Sequence, residues 1–353
     1  MTNIINLDTP VVLIDLDKVE ANLQRAQASA DQAGIKLRPH IKTHKLPRFA
    51  KRQVELGAVG ITVQKLGEAE VMADAGLSDI LLTFNIIGQQ KRERLKALHG
   101  RITIRVVADS ADCIDGLAET FTDPNHPLGV YVECDTGMGR CGVQSAEQAL
   151  DLSRRIAGHP GLAFAGLMTY PAAGKYKEAA DWLANAKATL EANGVAVPSI
   201  TTGGTPDIDH MSEAGVATEY RPGTYIYMDR SQVKAGAATN ADCALTVLAT
   251  VVSRPTEDRA IIDAGSKTLT SDTLGMTGFG VIEAYPDAVI VGLSEEHGTI
   301  DISKCATKPK IGDKLRIIPN HSCVVSNLFD EVTLISGDKV VETVHVDARG
   351  RVA

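Results

Sequence analysis

The chain has few aromatic side chains: phenylalanine, tryptophan and tyrosine together make up 4% of its 353 residues. Hydrophobic residues still account for 44%, so we predict a substantial core that packs mainly aliphatic side chains. Basic residues are fewer than acidic ones, and the formal net charge of −8 argues against a nucleic-acid-binding surface. The sequence contains no run of about 18 apolar residues, so no segment is predicted to span a membrane.

The cysteines are scattered, and none of the six belongs to a C-x-x-C pair. This distribution predicts free thiols in a reducing compartment rather than a disulfide framework. The first residues lack the charged and apolar regions of a signal peptide, so we predict a cytoplasmic protein.

Short β-branched or aliphatic runs recur through the first two-thirds of the chain, and most are followed by helical patterns rich in alanine, leucine and glutamate. Eight such units in about 230 residues predict a parallel (β/α)8 barrel of the TIM type, with a doubly wound open sheet as the alternative. The predicted strands are Gly34–Leu37, Ala58–Val63, Asp79–Phe84, Ile102–Ala108, Leu128–Glu133, Ala163–Met168, Ser199–Thr202 and Ala217–Tyr220.

After about residue 235 the pattern changes to short apolar or alternating runs separated by turns rich in glycine, aspartate and proline. We therefore predict a barrel domain over residues 8–235 and an all-β domain over residues 236–353, to which residues 1–7 could also belong. Its predicted strands are Cys243–Val252, Ala260–Asp263, Ala288–Val291, Thr299–Ile302, Lys314–Ile318, Glu331–Ile335 and Lys339–Val346.

The segment Arg38–Lys45 (RPHIKTHK) is strongly basic and follows the first predicted barrel strand. A lysine that is partly desolvated and crowded by other cations has a lowered pKa, which leaves a free amine able to form a Schiff base. A solvated basic turn or an anion-binding patch would contain the same residue types, so the segment alone leaves these readings open.

Two glycine-rich segments also follow predicted strands. Residues 201–206 (TTGGTP) combine adjacent glycines with hydroxyl groups, as anion-binding loops do, although a tight turn would explain one of the glycines. Residues 133–143 (ECDTGMGRCGV) carry Arg140 on a loop, where it could bind an anionic oxygen or lie on the surface.

Residues 319–323 (PNHSC) contain a histidine and a cysteine two positions apart. On a strand, His321 and Cys323 would face the same side. Imidazole and thiolate together suit zinc, but the two side chains could also be a packed core pair.

Taken together, these segments, with YRPGTY at 220–225 and PNHSCVVSNLFD at 319–330, resemble the D-threonine aldolase and D-serine dehydratase family. Its members are fold-type III pyridoxal 5′-phosphate (PLP) enzymes related to alanine racemase. The resemblance runs from about residue 9 to near the C-terminus. It implies a (β/α)8 barrel, a C-terminal β domain and a homodimer whose active sites lie near the subunit interface.

The resemblance also implies roles for individual residues. Lys42 resembles the Schiff-base lysine at the end of the first barrel strand. Gly203 and Gly204, with the hydroxyl of Thr202, resemble the group that holds the cofactor phosphate. Arg140 occupies the position of an arginine near the phenolic oxygen of the cofactor.

Arg221 corresponds to the arginine that faces the pyridine nitrogen in alanine racemase. Gln64 and Tyr170 resemble further residues of the cofactor pocket. His321 and Cys323 match the metal pair of the dehydratases, which implies a divalent ion, zinc in the first place, with manganese or another ion as alternatives.

The implied substrate is a small D-amino acid with a 3-hydroxyl group. Dehydratases of the family have H-x-C in the metal motif, whereas D-threonine aldolases have H-x-D and a histidine soon after the sixth strand. Residues 168–176 contain no histidine. Both differences favour β-elimination, with retro-aldol cleavage as the alternative.

Two further activities are less well supported. Racemases of this fold use a tyrosine early in the β domain, and residues 263–270 contain none. A non-catalytic PLP-binding barrel would not need a complete β domain. Asp263, Asp272 and His297 either contact the substrate or serve only as strand-end and turn residues.

Overall fold

The computed structural model describes residues 2–353, which form two compact units. The barrel unit comprises Arg25–Lys42, Leu46–Gly223 and Arg351–Ala353. The sheet unit comprises the described residues up to Gln24, together with Thr43–Lys45 and Thr224–Gly350. The domain boundary between residues 235 and 236 stays a prediction.

The barrel unit contains an eight-stranded parallel sheet. Each predicted barrel strand corresponds to one observed strand, and the two outermost strands are next to each other in sequence. In spatial order the strands are Lys36–Leu37, Glu219–Tyr220, Ile200–Thr202, Leu162–Met168, Leu128–Glu133, Thr103–Ala108, Asp79–Leu82 and Ile61–Val63.

The ends of this sheet meet, which closes the barrel. The N–H of Val59 donates to the carbonyl of Leu37 at 2.9 Å, and the N–H of Thr62 donates to that of Pro39 at 2.7 Å. His40 and Thr62 form a parallel bridge. The predicted (β/α)8 class is therefore confirmed, and the open-sheet alternative is wrong.

Aliphatic packing dominates the barrel, as the low aromatic content predicts. Leu81, Val107, Tyr131 and Met168, from four neighbouring strands, form one buried cluster. Alternate residues of a strand face opposite sides, so each strand can present one row to such a cluster and another row to the surrounding helices. Within residues 2–353 the α-helices are Leu16–Ala33, Pro47–Glu55, Leu66–Asp74, Gln89–His99, Ala111–Thr120, Ala146–Ala157, Tyr176–Ala192, Arg230–Ala235, Ser266–Leu269 and Ser322–Leu328.

The sheet unit contains a mostly antiparallel nine-stranded sheet, which confirms the predicted second β region. Seven strands follow one path, and Lys314–Ile318 pairs with both Leu245–Thr256 and Val281–Ile282. The path is Val289–Leu293, Gly298–Asp301, Arg259–Ile262, Leu245–Thr256, Val11–Asp15, Glu331–Ser336 and Lys339–His345.

The N-terminal strand Val11–Asp15 lies in the middle of this sheet. It pairs antiparallel with Leu245–Thr256 and parallel with Glu331–Ser336, and its residues Val12, Leu13 and Ile14 have no exposed surface. A strand buried on both faces has a continuous apolar sequence without alternation, so its sequence does not indicate which sheet it joins. Within residues 2–353, no helix is both long and apolar enough to cross a membrane.

Candidate active site and metal-binding residues

Lys42 lies in a 3₁₀ turn, Ile41–Thr43, shortly after the first barrel strand. Its backbone N–H donates to Nδ1 of His40 at 3.2 Å. Nε2 of His40 lies 3.1 Å from Oε1 of Gln64, whose amide nitrogen donates to the carbonyl of Thr83 at 2.7 Å. Because Nδ1 of His40 accepts a hydrogen bond, Nε2 carries the proton of the neutral ring and donates to Gln64. This chain of hydrogen bonds fixes the turn that presents Lys42.

Lys42 opens into a cavity of about 600 Å³. Gln64 and Arg140 line the same cavity, so the structure brings together three residues that the sequence analysis selected. It also places seven other residues on the cavity wall: Thr83, Phe84, Asn85, Ile87, Lys91, Glu133 and Cys141.

Tyr170 lies beside both cationic residues of the predicted pocket. Nζ of Lys42 is 5.5 Å from the centre of the Tyr170 ring, and the guanidinium carbon of Arg140 is 5.4 Å from it. Both distances are within the range of cation–π contacts. Tyr170 thus connects the lysine turn to the arginine loop.

The TTGGTP loop has the geometry of a phosphate cradle. Gly203 has φ +90°, and a Cβ at this position would lie 2.3 Å from the ring of Tyr220. The Tyr220 hydroxyl donates to the carbonyls of Gly204 (3.1 Å) and Asp207 (2.8 Å), which holds the loop against the ring. Within residues 2–353 the backbone N–H groups of Gly203 and Gly204 have no hydrogen-bond partner, so both can donate to an anion.

Arg221 supplies a buried cation in the same unit. Burial lowers the pKa of its guanidinium to about 10, against the opposing influence of Glu133 and Glu219. Nη2 donates to the carbonyl of Thr169, whereas Nε is buried without a partner among the described residues. A buried donor without a partner, a lysine amine and an anion cradle fit a phosphorylated pyridine with a reactive carbonyl, which is the chemistry of PLP.

Glu133 is a functional candidate that the sequence analysis did not assign. It ends the strand Leu128–Glu133, is 5% exposed and lines the cavity. Burial raises the pKa of its carboxyl group to about 7, against the opposing charges of Arg140 and Arg221. A glutamate at the carboxyl end of a barrel strand was the available signal, but its burial could not be deduced from the sequence.

The predicted strand at His321 and Cys323 is wrong. His321 precedes the helix Ser322–Leu328, and Cys323 lies in its first turn. The carboxylate of Asp229 accepts hydrogen bonds from the backbone N–H (2.8 Å) and the hydroxyl (3.1 Å) of Ser322, which favours a helix start over continued strand pairing. The imidazole and the thiol still come within hydrogen-bonding reach of each other.

Asp272 joins this pair. Nδ1 of His321 lies 2.8 Å from Oδ2 of Asp272. Burial lowers the pKa of the imidazole, but hydrogen bonds to Cys323 and Asp272 and the charges of Cys323 and Asp229 outweigh burial and raise it to about 9. The Cys323 sulfur lies 3.1 Å from the Thr43 hydroxyl and 3.5 Å from that of Thr224.

The donor set fits a divalent metal with open coordination positions. Imidazole nitrogen and thiolate sulfur are ligands that zinc prefers, and a carboxylate behind the histidine is typical of zinc sites. Among residues 2–353, no cluster of three or more histidine, cysteine or acidic side chains is arranged as a complete site. His321 and Cys323 would therefore supply two ligands and leave the other positions to water or substrate.

Other residues considered in the sequence have structural contacts. Arg38 is buried in ion pairs with Glu219 (2.9 Å) and Asp79 (2.6 Å). Asp263 accepts hydrogen bonds from the Thr9 hydroxyl and the Thr250 N–H. His297 is exposed in a turn. Because Arg38 is held in these ion pairs, the basic residues of RPHIKTHK do not form one anion-binding patch.

Comparison with known proteins agrees with this geometry. A family model described as "Alanine racemase, N-terminal domain" matches residues 14–231, and one described as "Putative serine dehydratase domain" matches residues 244–335. A D-threonine aldolase from Arthrobacter sp. is 34% identical, with 98% of this chain and 93% of the relative covered. The chain belongs to the D-threonine aldolase and D-serine dehydratase family. Its relatives are PLP-dependent lyases of fold type III.

Relatives of this family carry out both reactions considered above. A D-threo-3-hydroxyaspartate dehydratase from Delftia sp. strain HT23 is 30% identical, with 96% of this chain and 97% of the relative covered. The crystal structure of D-threonine aldolase from Filomicrobium marinum has a TM-score of 0.91 and 33% identity, and covers 99% of this chain and 98% of its own. Family membership therefore establishes the lyase class. It does not decide which bond of the substrate breaks, and that choice depends on the residues of the site.

Proposed function

We propose that this chain is a metal-assisted D-3-hydroxy amino acid dehydratase, which converts its substrate to a 2-oxo acid and ammonia. The water that is eliminated balances the water that is consumed when ammonia is released. The observation that carries this proposal is the pairing of His321 with Cys323, backed by Asp272. The resemblance associates this H-x-C pair with dehydratases. Residues 168–176, which contain no histidine, support the same choice.

Two bound groups would supply chemistry that the side chains lack. PLP, held by Thr202, Gly203 and Gly204 at its phosphate, supplies an electron sink for the substrate α-carbon. A divalent ion, for which we propose zinc, would be held by His321 and Cys323 and would supply a Lewis acid for the 3-hydroxyl group.

The side chains of the barrel cavity bind the cofactor and move the proton. Lys42 would hold the cofactor covalently, and its amine would serve as the base that removes the α-proton from one face of the substrate. As the resemblance implies, Arg221 would bind at the ring nitrogen of the cofactor and Arg140 at its phenolic oxygen. Tyr170 and Gln64 hold the side chains of this pocket in place, through the ring contacts and the hydrogen bonds to His40 and Thr83.

Glu133 adds a proton-holding group to the cavity wall. A carboxyl group with a pKa of about 7 is present in both protonation states near neutral pH. We propose that it stays protonated in the loaded enzyme below this pH, where it offers the cavity a hydrogen-bond donor without adding a negative charge.

Retro-aldol cleavage is the second candidate. The 34% identity to the Arthrobacter aldolase and the TM-score of 0.91 to the Filomicrobium enzyme favour it. It needs the same lysine, cofactor and metal, and a group that takes the proton of the 3-hydroxyl. Homodimer formation, implied by the resemblance, stays a prediction for either reaction.

Product analysis separates the two reactions. The enzyme is loaded with PLP and Zn²⁺ and incubated with D-threonine, and the products are identified by chromatography. We expect 2-oxobutanoate and ammonia in equal amounts. Glycine and acetaldehyde would instead establish the aldolase, and L-threonine turned over as fast as D-threonine would contradict proton removal from a single face.

A further inference from the structure

We propose that Asp272 is a positioning residue, which holds His321 in the one ring orientation and tautomer that can bind the metal. The proposal rests on the proposed metal-assisted function and extends it to a residue outside the H-x-C motif. Asp272 lies 49 residues from His321 in the sequence, and its carboxylate is the group that contacts Nδ1.

The contact determines which ring nitrogen is available. Oδ2 of Asp272 lies 2.8 Å from Nδ1 of His321, so the carboxylate accepts a hydrogen bond from Nδ1–H. The other nitrogen, Nε2, is then left with a lone pair when the imidazole is neutral. A carboxylate behind a ligating histidine fixes the ring and raises its basicity as a ligand.

The backbone of Asp272 is anchored independently of its side chain. Asn320 is fully buried, and its amide nitrogen donates to the carbonyls of Asp272 (3.0 Å) and Gly278 (2.9 Å). The amide oxygen of Asn320 accepts from Nη1 of Arg230 at 3.1 Å. Because Asn320 holds the backbone carbonyl of Asp272, the aspartate loop keeps this anchor when the carboxylate, which is 41% exposed, is removed.

The cysteine side of the pair has its own anchor. Asp229, which has no exposed surface, accepts two hydrogen bonds from Ser322, the residue between His321 and Cys323. One carboxylate thus fixes the backbone between the ligands, and the other fixes the ring of His321. Removal of the Asp272 carboxylate therefore frees the imidazole while the cysteine stays in position.

The test measures metal binding without substrate. The PLP-loaded wild type, Asp272→Ala and Asp272→Asn are titrated with Zn²⁺ against a chromogenic chelator, and Asp287→Asn, an exposed aspartate of the same unit, is the matched control. We expect Asp272→Ala to bind Zn²⁺ about 10- to 100-fold more weakly. Asp272→Asn should lie between Asp272→Ala and the wild type because its amide oxygen still accepts from Nδ1–H, and Asp287→Asn should match the wild type.

Cobalt substitution and thermal unfolding make the outcomes distinct. In Asp272→Ala, Co²⁺ should give the thiolate-to-cobalt absorption of the wild type, only at higher metal concentration, with an unchanged Tm in the absence of metal. Zn²⁺ affinity within twofold of the wild type in Asp272→Ala would overturn the inference, as would a wild type without the thiolate signal. The wild type could also bind Zn²⁺ through Asp272 and yet show no lyase activity. That result would overturn the proposed function and leave the inference about Asp272 standing.

Discussion

The residues that could hold PLP and those that could hold a metal are assembled in different ways. The proposed PLP residues follow strand ends of the closed parallel sheet, which brings Lys42, Gln64 and Arg140 together on one cavity wall. The metal pair comes from a single short segment, with one partner, Asp272, from a separate loop. The barrel group therefore depends on the whole sheet, whereas the metal group depends on a few local hydrogen bonds.

The two groups also differ in what replacement of a residue should do. A barrel residue is surrounded by closely packed neighbours, as the ring of Tyr220 against Gly203 illustrates. The His321 and Asp272 side chains are 28% and 41% exposed, so water can take the place of a lost group. Changes in the barrel group should affect cofactor binding, and changes in the metal group should affect turnover with the cofactor still bound.

The largest expected effect is that of Lys42→Ala. Loss of the side chain that we propose binds PLP covalently and removes the α-proton should lower turnover by roughly a thousandfold or more. The absorbance of lysine-bound PLP should disappear from the purified protein. Lys36→Ala, in the strand Lys36–Leu37 that precedes the Lys42 turn, is the control because Lys36 is exposed. A normal absorbance band in Lys42→Ala would show that another lysine binds the cofactor.

Cys323→Ala should separate the two groups most clearly. Loss of a metal ligand should lower turnover by roughly a hundredfold or more, because Lewis-acid assistance is lost. The absorbance of lysine-bound PLP should not change, since Cys323 is not among the residues of the barrel cavity. Cys305→Ala, a second cysteine of the sheet unit, serves as the control, and a chelator should reproduce the effect in the wild type. Full activity after both treatments would exclude a metal role.

Gly203→Ala should weaken cofactor binding, by about tenfold or more. A methyl group there would meet the Tyr220 ring at 2.3 Å and must displace the loop whose N–H groups we propose bind the phosphate. Gly194→Ala is a matched control, because Gly194 has a similar φ of +78° but no atom within 4 Å of the added methyl group. PLP affinity is measured by equilibrium titration of the apo enzyme. Equal losses in both variants would mean that backbone strain, and not the cradle, is responsible.

The different construction of the two groups explains which of them could be predicted from the sequence. Strand ends of a parallel sheet meet at one edge, so Lys42, Gln64 and Arg140 could be predicted to lie together once their strands were recognised. The secondary structure at His321 was predicted wrongly, because it depends on a carboxylate from Asp229, more than 90 residues away. Asp272 was considered, but its contact with His321 depends on tertiary structure.

Burial has the same non-local origin, and Glu133 provides the last test. Its folded-state pKa of about 7 lies above the unfolded value of 4.5, so the folded protein binds the extra proton between these pH values. This contribution to stability is complete below pH 4.5 and is lost as the pH rises through 7. Glu133→Gln does not titrate, so its free energy of unfolding should rise relative to that of the wild type, by up to about 3 kcal/mol, between pH 4.5 and 8.

Urea unfolding of the cofactor-free proteins across this pH range measures the difference. Exposed Glu93→Gln is the control and should follow the wild type at every pH. Turnover at pH 6 should change less than about tenfold in Glu133→Gln, because the amide resembles the protonated carboxyl group. A stability difference that does not vary with pH would mean that Glu133 is ionised in the folded protein, with Arg140 and Arg221 outweighing burial. The barrel cavity would then hold a fixed negative charge, and its proton chemistry would rest on Lys42 alone.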